Sequence, residues 1–246
     1  MKALVVGGSS GIGLSIVLEL ASKHEYDTVW VLDKKQFPGQ YRQEKIEFQQ
    51  FDLLSDDYSL LSNFDEADAL FITAGFGKLE YFQNLSEAYL HDIFMVNAIA
   101  PIRIIRHFYP KLLSKYNFST AVMVSIAGRL CSPMFSEYSA TKAALRMFIE
   151  AINVELEAQG SNNRILEVSP GSLEGTSFSG GISNPKMTRN IAGDIISKAE
   201  NKETLFIPQY DEVYASVIER YNYNPHQFGI DSYQYKMRRI CGNDNK

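Results

Sequence analysis

Short apolar runs alternate along the chain with longer segments in which apolar residues recur at helical spacing. Most of the runs are predominantly apolar, which is typical of parallel strands buried on both faces. They cover residues 3–6, 28–32, 46–51, 69–73, 121–124, 165–168 and 205–207, and the helical segments cover 11–23, 87–115 with a bend near Pro101, and 136–159. This alternation predicts an α/β fold in three layers, a doubly wound parallel sheet with helices on both faces.

A glycine-rich turn joins the first predicted strand to the first helix. Gly7 permits a tight turn, Gly11 lets the backbone approach a pyrophosphate, and Gly13 lets the helix pack closely on the strand. The free N–H groups of the helix N-terminus suit phosphate groups. The turn also contains Ser9, Ser10 and Ile12. A flexible loop is the alternative, but the position between strand and helix favours a dinucleotide site.

Acidic residues follow the second and third strands. A carboxylate at Asp33 can accept hydrogen bonds from an adenosine ribose and repel a 2′-phosphate, which favours NAD. Lys34 and Lys35 come next and could hold a 2′-phosphate, so NADP stays possible. Asp52 could contact the adenine amino group or cap the following segment.

A candidate acid–base group follows the fifth strand. Tyr138 can exchange a proton with a substrate hydroxyl if its pKa falls from about 10 toward about 7. Lys142 lies on the same helix face and could supply part of that shift. A second Tyr-x-x-x-Lys match, at Tyr41 and Lys45, fails because Thr28, thirteen residues earlier, begins a strand and so lies at the wrong end of the sheet.

At these residues the chain resembles the short-chain dehydrogenase/reductase family, in its single-domain form of about 250 residues. The resemblance runs from Val6, which replaces the family's threonine, to about Thr176, and Thr73 stands where the family has asparagine. It implies a Rossmann fold and an active site of Asn97, Ser125, Tyr138 and Lys142. It also implies cofactor contacts from the glycine turn, Asp33, Asp52, Leu53, Ala74, Gly75, Tyr138, Lys142, Pro170, Gly171 and Thr176.

In that family the tyrosine is the acid–base group, and the lysine also binds the nicotinamide ribose. The serine would hydrogen-bond the substrate oxygen, and Asn97 would hold a water that links Lys142 to solvent. We therefore expect an NAD(P)-dependent oxidoreductase that interconverts a secondary alcohol and a ketone. The alternative is a catalytically silent regulatory or scaffold protein that binds a dinucleotide.

Composition and charge limit the classes of partner that we expect for this protein. The 246 residues carry a net charge of −5, so we expect no nucleic acid partner. Two cysteines suit a reducing compartment, and we see neither a signal-peptide core nor a long apolar run, so we expect a cytoplasmic protein without a membrane partner. The four histidines are scattered, so we expect no metal site.

We expect one domain over residues 1–246, with 172–195 as a possible substrate lid. The aromatic tail after Tyr210 suggests packing or a subunit contact rather than a substrate role. Family members usually pair through the two long helices beside the fifth strand, so the resemblance implies a homodimer or homotetramer built on 87–115 and 136–159.

Overall fold

The computed structural model describes residues 1–55, 57–176, 178 and 183–241, with only the backbone for 239–241. Within this part, all strands pair in parallel in one seven-stranded sheet of order β3-β2-β1-β4-β5-β6-β7. The strands are β1 Lys2–Val6, β2 Thr28–Asp33, β3 Ile46–Gln50, β4 Ala69–Ile72, β5 Ser119–Met123, β6 Ile165–Val168 and β7 Leu205–Phe206. The predicted doubly wound parallel sheet is confirmed.

The helices in this part of the chain are α1 Gly11–Ser22, α2 Glu87–Phe94, α3 Ala100–Leu113, α4 Ser136–Ala158, α5 Pro185–Glu200, α6 Ala215–Tyr223 and α7 Pro225–Cys241. One core cluster joins the sheet to α3 and α4, and a second joins it to α1 and α5. Each cluster buries one face of the sheet, which gives the three predicted layers. The carboxyl ends of the strands therefore meet at one edge, where ligands bind in sheets of this kind.

The predicted helix over 87–115 is interrupted by one π-helical turn, Met95–Ile99. Pro101 has no N–H to donate to the carbonyl of Asn97, and the Ala100 N–H instead reaches back five residues to Met95. The interruption therefore lies just before the proline that predicted a bend. It also places Asn97, which is fully buried, inside the irregular turn.

The same stretch, Glu87–Leu113, is long and apolar enough to cross a membrane by length and composition alone. The sequence analysis missed it because charged residues such as Arg103 and Arg106 interrupt the apolar positions. In this structure its residues Ile104, Phe108 and Leu112 are buried in the core against the sheet. The stretch is therefore used here as a core helix.

Residues 185–195 of the predicted lid form the first part of α5, and their role as a lid stays a prediction. Ala192 and Ile195 on this helix are fully buried against α1 and the sheet. Asn184 caps the helix by accepting a hydrogen bond from the Lys186 N–H, and Pro185 occupies the first turn. Residues 177 and 179–182 of the predicted lid lie outside the described residues.

Candidate active site

Ser125 and Tyr138 come together at the carboxyl edge of the sheet. Ser125 follows β5, and Tyr138 lies in the first turns of α4, where the Ser125 hydroxyl is close enough to the phenol to lower its pKa. The Ser125 Oγ also accepts a hydrogen bond from the Ala127 N–H at 3.1 Å and lies 3.4 Å from the Pro170 carbonyl oxygen. The hydroxyl is thus held in position by the backbone after both β5 and β6.

Burial sets the protonation of the two ionisable groups. It raises the pKa of Tyr138 to about 12, and the nearby Ser125 hydroxyl offsets only part of the rise. Burial also lowers the pKa of Lys142 to about 7. In the protein alone, burial therefore opposes the expected fall of the Tyr138 pKa, because it disfavours the charged form of each group. That Lys142 supplies part of this fall when a dinucleotide is bound stays a prediction.

Lys142 is directed past the phenol. Its Nζ lies 5.7 Å from the centroid of the Tyr138 ring and donates to the Met123 carbonyl oxygen at 2.9 Å. A Cβ on Gly75 would lie 3.2 Å from both this Nζ and the Asn97 Oδ1. The backbone after β4 thus lies directly against the lysine and the asparagine.

Asn97 holds the loop after β4 through a pair of backbone hydrogen bonds. Its Oδ1 accepts from the Phe76 N–H at 3.0 Å, and its Nδ2 donates to the Phe76 carbonyl oxygen at 2.7 Å and to the Thr141 hydroxyl at 3.3 Å. The Asn97 side chain therefore joins α4 to this loop through hydrogen bonds. Its expected role as a holder of water stays a prediction.

Thr73 replaces the family asparagine at the end of β4. Its hydroxyl lies 3.0 Å from the Val6 carbonyl oxygen and 3.1 Å from that of Gly7, so it can donate to either. Ala74 follows and donates its N–H to Val6. The hydrogen bonds between the loop after β4 and the glycine turn are thus retained with a different side chain.

The glycine turn requires glycine at two positions. Gly7 has a φ of +88°, and a Cβ there would lie 2.5 Å from the Ala74 backbone nitrogen. A Cβ on Gly13 would lie 2.2 Å from the Gly7 carbonyl oxygen and 2.4 Å from the Thr73 hydroxyl. These contacts confirm the predicted tight turn and close helix packing.

The start of α1 has backbone donors available. Ser10 occupies the N-cap position without a side-chain capping bond, and Ile12 follows in the first turn, partly buried. The Gly11 N–H donates to the Ser183 hydroxyl at 2.7 Å, and Thr176 is the nearest neighbour of a Cβ on Gly11, at 3.8 Å. An uncapped helix N-terminus of this kind suits a phosphate.

The predicted adenosine residues line one pocket of about 200 Å³ beside the glycine turn. It is lined by Val6, Gly7, Leu32, Asp33, Lys34, Phe51, Asp52, Leu53, Leu54, Ala74, Phe76, Asp92 and Val96. The Asp33 carboxylate accepts hydrogen bonds from the Ser9 and Lys35 N–H groups, both at 2.9 Å. The pocket therefore opens at the carboxyl ends of β1, β2 and β4.

The charge of Lys34 is already paired. Its Nζ lies 3.0 Å from the Asp52 carboxylate, which also accepts from the Leu54 N–H. Burial alone would raise the pKa of Asp52, but these two hydrogen bonds hold it below its ordinary value. Asp52 thus stays ionised at the rim of the pocket.

The turn after β6 contacts a residue that the sequence analysis left in the tail. A Cβ on Gly171 would lie 1.5 Å from the Tyr214 Oη, so the phenol packs directly on the glycine backbone. Tyr214 ends a second π-helical turn, Tyr210–Tyr214. Gly171 is the feature of the sequence that points to this contact. Its partner Tyr214 could not be inferred, because it comes from a distant part of the chain.

Aromatic side chains cover the phenol of Tyr138. Ring centroids of Phe135 and Phe178 lie 4.5 Å and 5.2 Å from its own, and a Cβ on Gly77 would lie 2.7 Å from its Cδ2. Tyr138 is consequently only 6% exposed. Lys236 on α7 lies above the Phe135 ring, which the sequence analysis did not anticipate.

The described part of the chain offers no set of metal-ligating side chains. Among the described residues, no three histidine, cysteine, aspartate or glutamate side chains converge as a metal ion would require.

Comparison with known proteins agrees with this arrangement. The family model for short chain dehydrogenases matches residues 1–186. The uncharacterized oxidoreductase TDA5 of Saccharomyces cerevisiae is 28% identical over 186 residues, which are 72% of this chain and 56% of that protein. The retinol dehydrogenase 8 of Bos taurus is 27% identical over 87% of this chain and 72% of its own length. The chain spans about half the length of the first curated relatives it matches.

Solved structures share the fold. The alcohol dehydrogenase of the archaeon Thermococcus sibiricus, solved with 5-hydroxy-NADP, aligns with a TM-score of 0.70. It is 21% identical and covers 84% of this chain and 94% of its own. Since the family model spans well over half of the sequence, the chain belongs to the short chain dehydrogenase family.

Proposed function

We propose that this protein is an NAD(P)-dependent oxidoreductase that interconverts a secondary alcohol and a ketone, with Tyr138 as its acid–base group. The observation that carries the proposal is the proximity of the Ser125 hydroxyl to the Tyr138 phenol at the sheet edge that also bears the glycine turn. The relatives named as oxidoreductases support the reaction class.

The residues present fit a dinucleotide. The uncapped start of α1 can receive the phosphates, and the pocket beside Asp33 has space and hydrogen-bond acceptors for an adenosine ribose. A bound nicotinamide dinucleotide supplies or accepts the hydride. Lys142 and the Pro170–Gly171 turn lie at the same sheet edge, and the family resemblance implies that they contact the nicotinamide end of the dinucleotide.

The protein's own groups handle the proton. With a pKa of about 12, the phenol of Tyr138 is protonated at neutral pH and can donate to a carbonyl oxygen. Ser125 can hydrogen-bond the same oxygen as its charge develops. In the opposite direction the phenol must first lose its proton, and a protonated Lys142 beside it favours that loss.

The site favours NAD over NADP. Asp33 places a carboxylate at the ribose end of the pocket, and Asp52 neutralises Lys34, the nearest lysine that could hold a 2′-phosphate. A 2′-phosphate would therefore meet two carboxylates and one paired ammonium.

One observation favours the alternative, a catalytically silent protein that binds a dinucleotide. The rings of Phe135 and Phe178 cover Tyr138 so that little of the phenol reaches solvent. A substrate must displace at least one of these rings to reach it.

Calorimetric titration with NADH and NADPH, followed by a panel of alcohols and ketones monitored by NADH absorbance, tests the proposal. We expect submillimolar binding and turnover of at least one secondary alcohol or ketone. Binding without turnover across a broad panel would favour the silent alternative, and no binding of either dinucleotide would defeat both.

We further propose that two copies pair through α4 and the neighbouring α2–α3 stretch, and that the protein works in the cytoplasm. An apolar stripe with spacings of four and three residues lies exposed on α4, and comprises Ala140, Ala144, Met147, Ala151 and Val154. Phe94 and Ile99 are exposed on the adjoining stretch. Apolar patches of this kind commonly mark subunit contacts.

A further inference from the structure

Helix α7 brings an ammonium group to the rim of the proposed substrate site. The Lys236 Nζ donates to the Ser132 hydroxyl at 2.6 Å and to the Pro133 carbonyl oxygen at 2.7 Å. It lies 5.9 Å from the centroid of the Phe135 ring, and that ring lies 4.5 Å from the ring of Tyr138. One aromatic ring therefore separates this cation from the proposed acid–base group.

The charge of Lys236 has no direct counter-ion. Among the described residues, no carboxylate oxygen lies within 4.0 Å of its Nζ, and both of its hydrogen-bond acceptors are neutral. An ammonium has three donors, so one stays available. Burial lowers the pKa of this ammonium to about 8.

Two other side chains act on this ammonium from a distance. Cys131 and Glu137 both raise the pKa of Lys236 and so favour its charged form. Glu137 lies in the first turn of α4, where the helix N-terminus favours negative charge, and one of its buried oxygens has no hydrogen-bond partner. These groups keep Lys236 charged without occupying its free donor.

The surroundings between Lys236 and Tyr138 are apolar. Phe135 and Phe178 contact the Tyr138 ring, and the buried Met134 precedes Phe135 in the same loop. A ligand that spans this space needs an apolar body, and an anionic end would supply the missing counter-ion.

We propose that Lys236 is the anion-binding residue of the substrate site, and that the substrate is an apolar secondary alcohol or ketone that ends in a carboxylate. This inference rests on the proposed function and names its substrate class. Lys236 lies beyond residues 1–186, which the family model matches, so the family as a whole does not specify it.

Paired substrates test this inference. Methyl ketones that end in a carboxylate, with methylene spacers of graded length, are compared with the methyl esters of the same acids. We expect at least one acid to have a kcat/KM about tenfold or more above that of its ester. Lys236→Met should bring this ratio close to one, and Lys236→Arg should retain most of the preference.

Lys202→Met is the matched control. Lys202 is also half-buried, has a pKa lowered to about 8 by burial, and donates to the Phe118 carbonyl oxygen and the Ser119 hydroxyl. It lies at the amino end of β5, away from the site. This variant should keep the preference of the wild type for acid over ester.

A binding measurement separates this inference from the proposed reaction. Octanoate and octanamide are titrated into the dinucleotide-loaded protein, and octanoate should bind about tenfold more tightly, with the difference lost in Lys236→Met. Equal binding of the two probes, or a preference that survives in Lys236→Met, would overturn the role of Lys236 even if ketones are turned over. Tighter binding of octanoate than of octanamide, without turnover of any ketone or alcohol, would defeat only the proposed reaction.

Discussion

At the scale of single residues, burial reverses the usual order of two proton affinities. In water a lysine ammonium and a tyrosine phenol lose their protons at similar pH, whereas here the pKa of Lys142 falls to about 7 and that of Tyr138 rises to about 12. Both groups are neutral over a wide pH range. The protein alone therefore presents a proton donor, and the dinucleotide must favour the charged forms if alcohols are to be oxidised.

The buried amine of Lys142 makes stability depend on pH. Its pKa is 10.5 in the unfolded chain and about 7 in the folded one, so between these values the unfolded chain binds the extra proton. The free energy of unfolding should then decrease by up to about 1.4 kcal/mol per pH unit as the pH falls from 10.5 to 7. Urea unfolding of wild type and Lys142→Met at pH 7.5 and 9.5 measures this dependence.

Lys142→Met removes the titrating group, so the stability difference between wild type and variant should change in favour of the wild type by about 2–3 kcal/mol between these two pH values. A difference that does not vary with pH would show that Lys142 stays charged in the folded protein.

Asp33 should determine which dinucleotide binds more tightly. Asp33→Asn keeps an acceptor for a backbone N–H but removes the negative charge that repels a 2′-phosphate. We expect the affinity ratio of NADH to NADPH, measured by calorimetry, to fall about tenfold. Asp65→Asn, near the opposite end of the sheet, should leave the ratio unchanged. A wild type that prefers NADPH would contradict the assignment.

The positions of site residues could be predicted from the sequence where those residues follow the end of a strand. Gly7, Asp33, Ser125 and Tyr138 all lie at the carboxyl edge as expected, because a parallel sheet brings its strand ends together. The pKa of Tyr138 could not be predicted, since it depends on Phe135 and Phe178, whose contacts with the phenol depend on the tertiary fold.

At the scale of elements, the π-helical turn between α2 and α3 positions Asn97 to hold the loop after β4. Asn97→Ala should cost about 1–2 kcal/mol of stability, because the half-buried Phe76 N–H loses its acceptor. It should also weaken dinucleotide binding, since the same loop borders the pocket. Chemical unfolding and calorimetry measure the two effects.

Asn153 offers a matched control for this prediction. It makes the same paired hydrogen bonds with the backbone of Ile165, at the amino end of β6. Asn153→Ala should therefore cost similar stability without changing dinucleotide binding. If both variants weaken dinucleotide binding equally, the hydrogen bonds of Asn97 have no specific effect on the pocket.

Of the elements after β6, α5 has clear signals in the sequence, whereas α6 and α7 were harder to predict. Asn184 and Pro185 signal a helix start, and Ala192, Ile195, Ile196 and Ala199 recur at helical spacing, so α5 was readable in the sequence. Helices α6 and α7 bury few side chains, so their aromatic residues indicated a tail instead. Their roles at Tyr214 and Lys236 depend on contacts across the chain.

At the scale of the whole molecule, the exposed stripe on α4 should bury itself in a dimer. Val154, which is 66% exposed, lies in this stripe. Val154→Glu should convert the dimer to single chains, as measured by light scattering during size-exclusion chromatography. Tyr223→Glu, on the distant and more exposed α6, should stay dimeric. A wild type with the mass of one chain would contradict this expectation.

The most direct test of the central claim is the turnover of Tyr138→Phe at a saturating dinucleotide concentration, with Tyr41→Phe as the control. Tyr41 heads the second Tyr-x-x-x-Lys match, but it lies in the short connection between β2 and β3. We predict that Tyr138→Phe loses at least about a thousandfold in kcat and keeps its dinucleotide affinity, whereas Tyr41→Phe retains turnover. Turnover of Tyr138→Phe within a few fold of wild type would contradict the assignment of Tyr138 as the acid–base group.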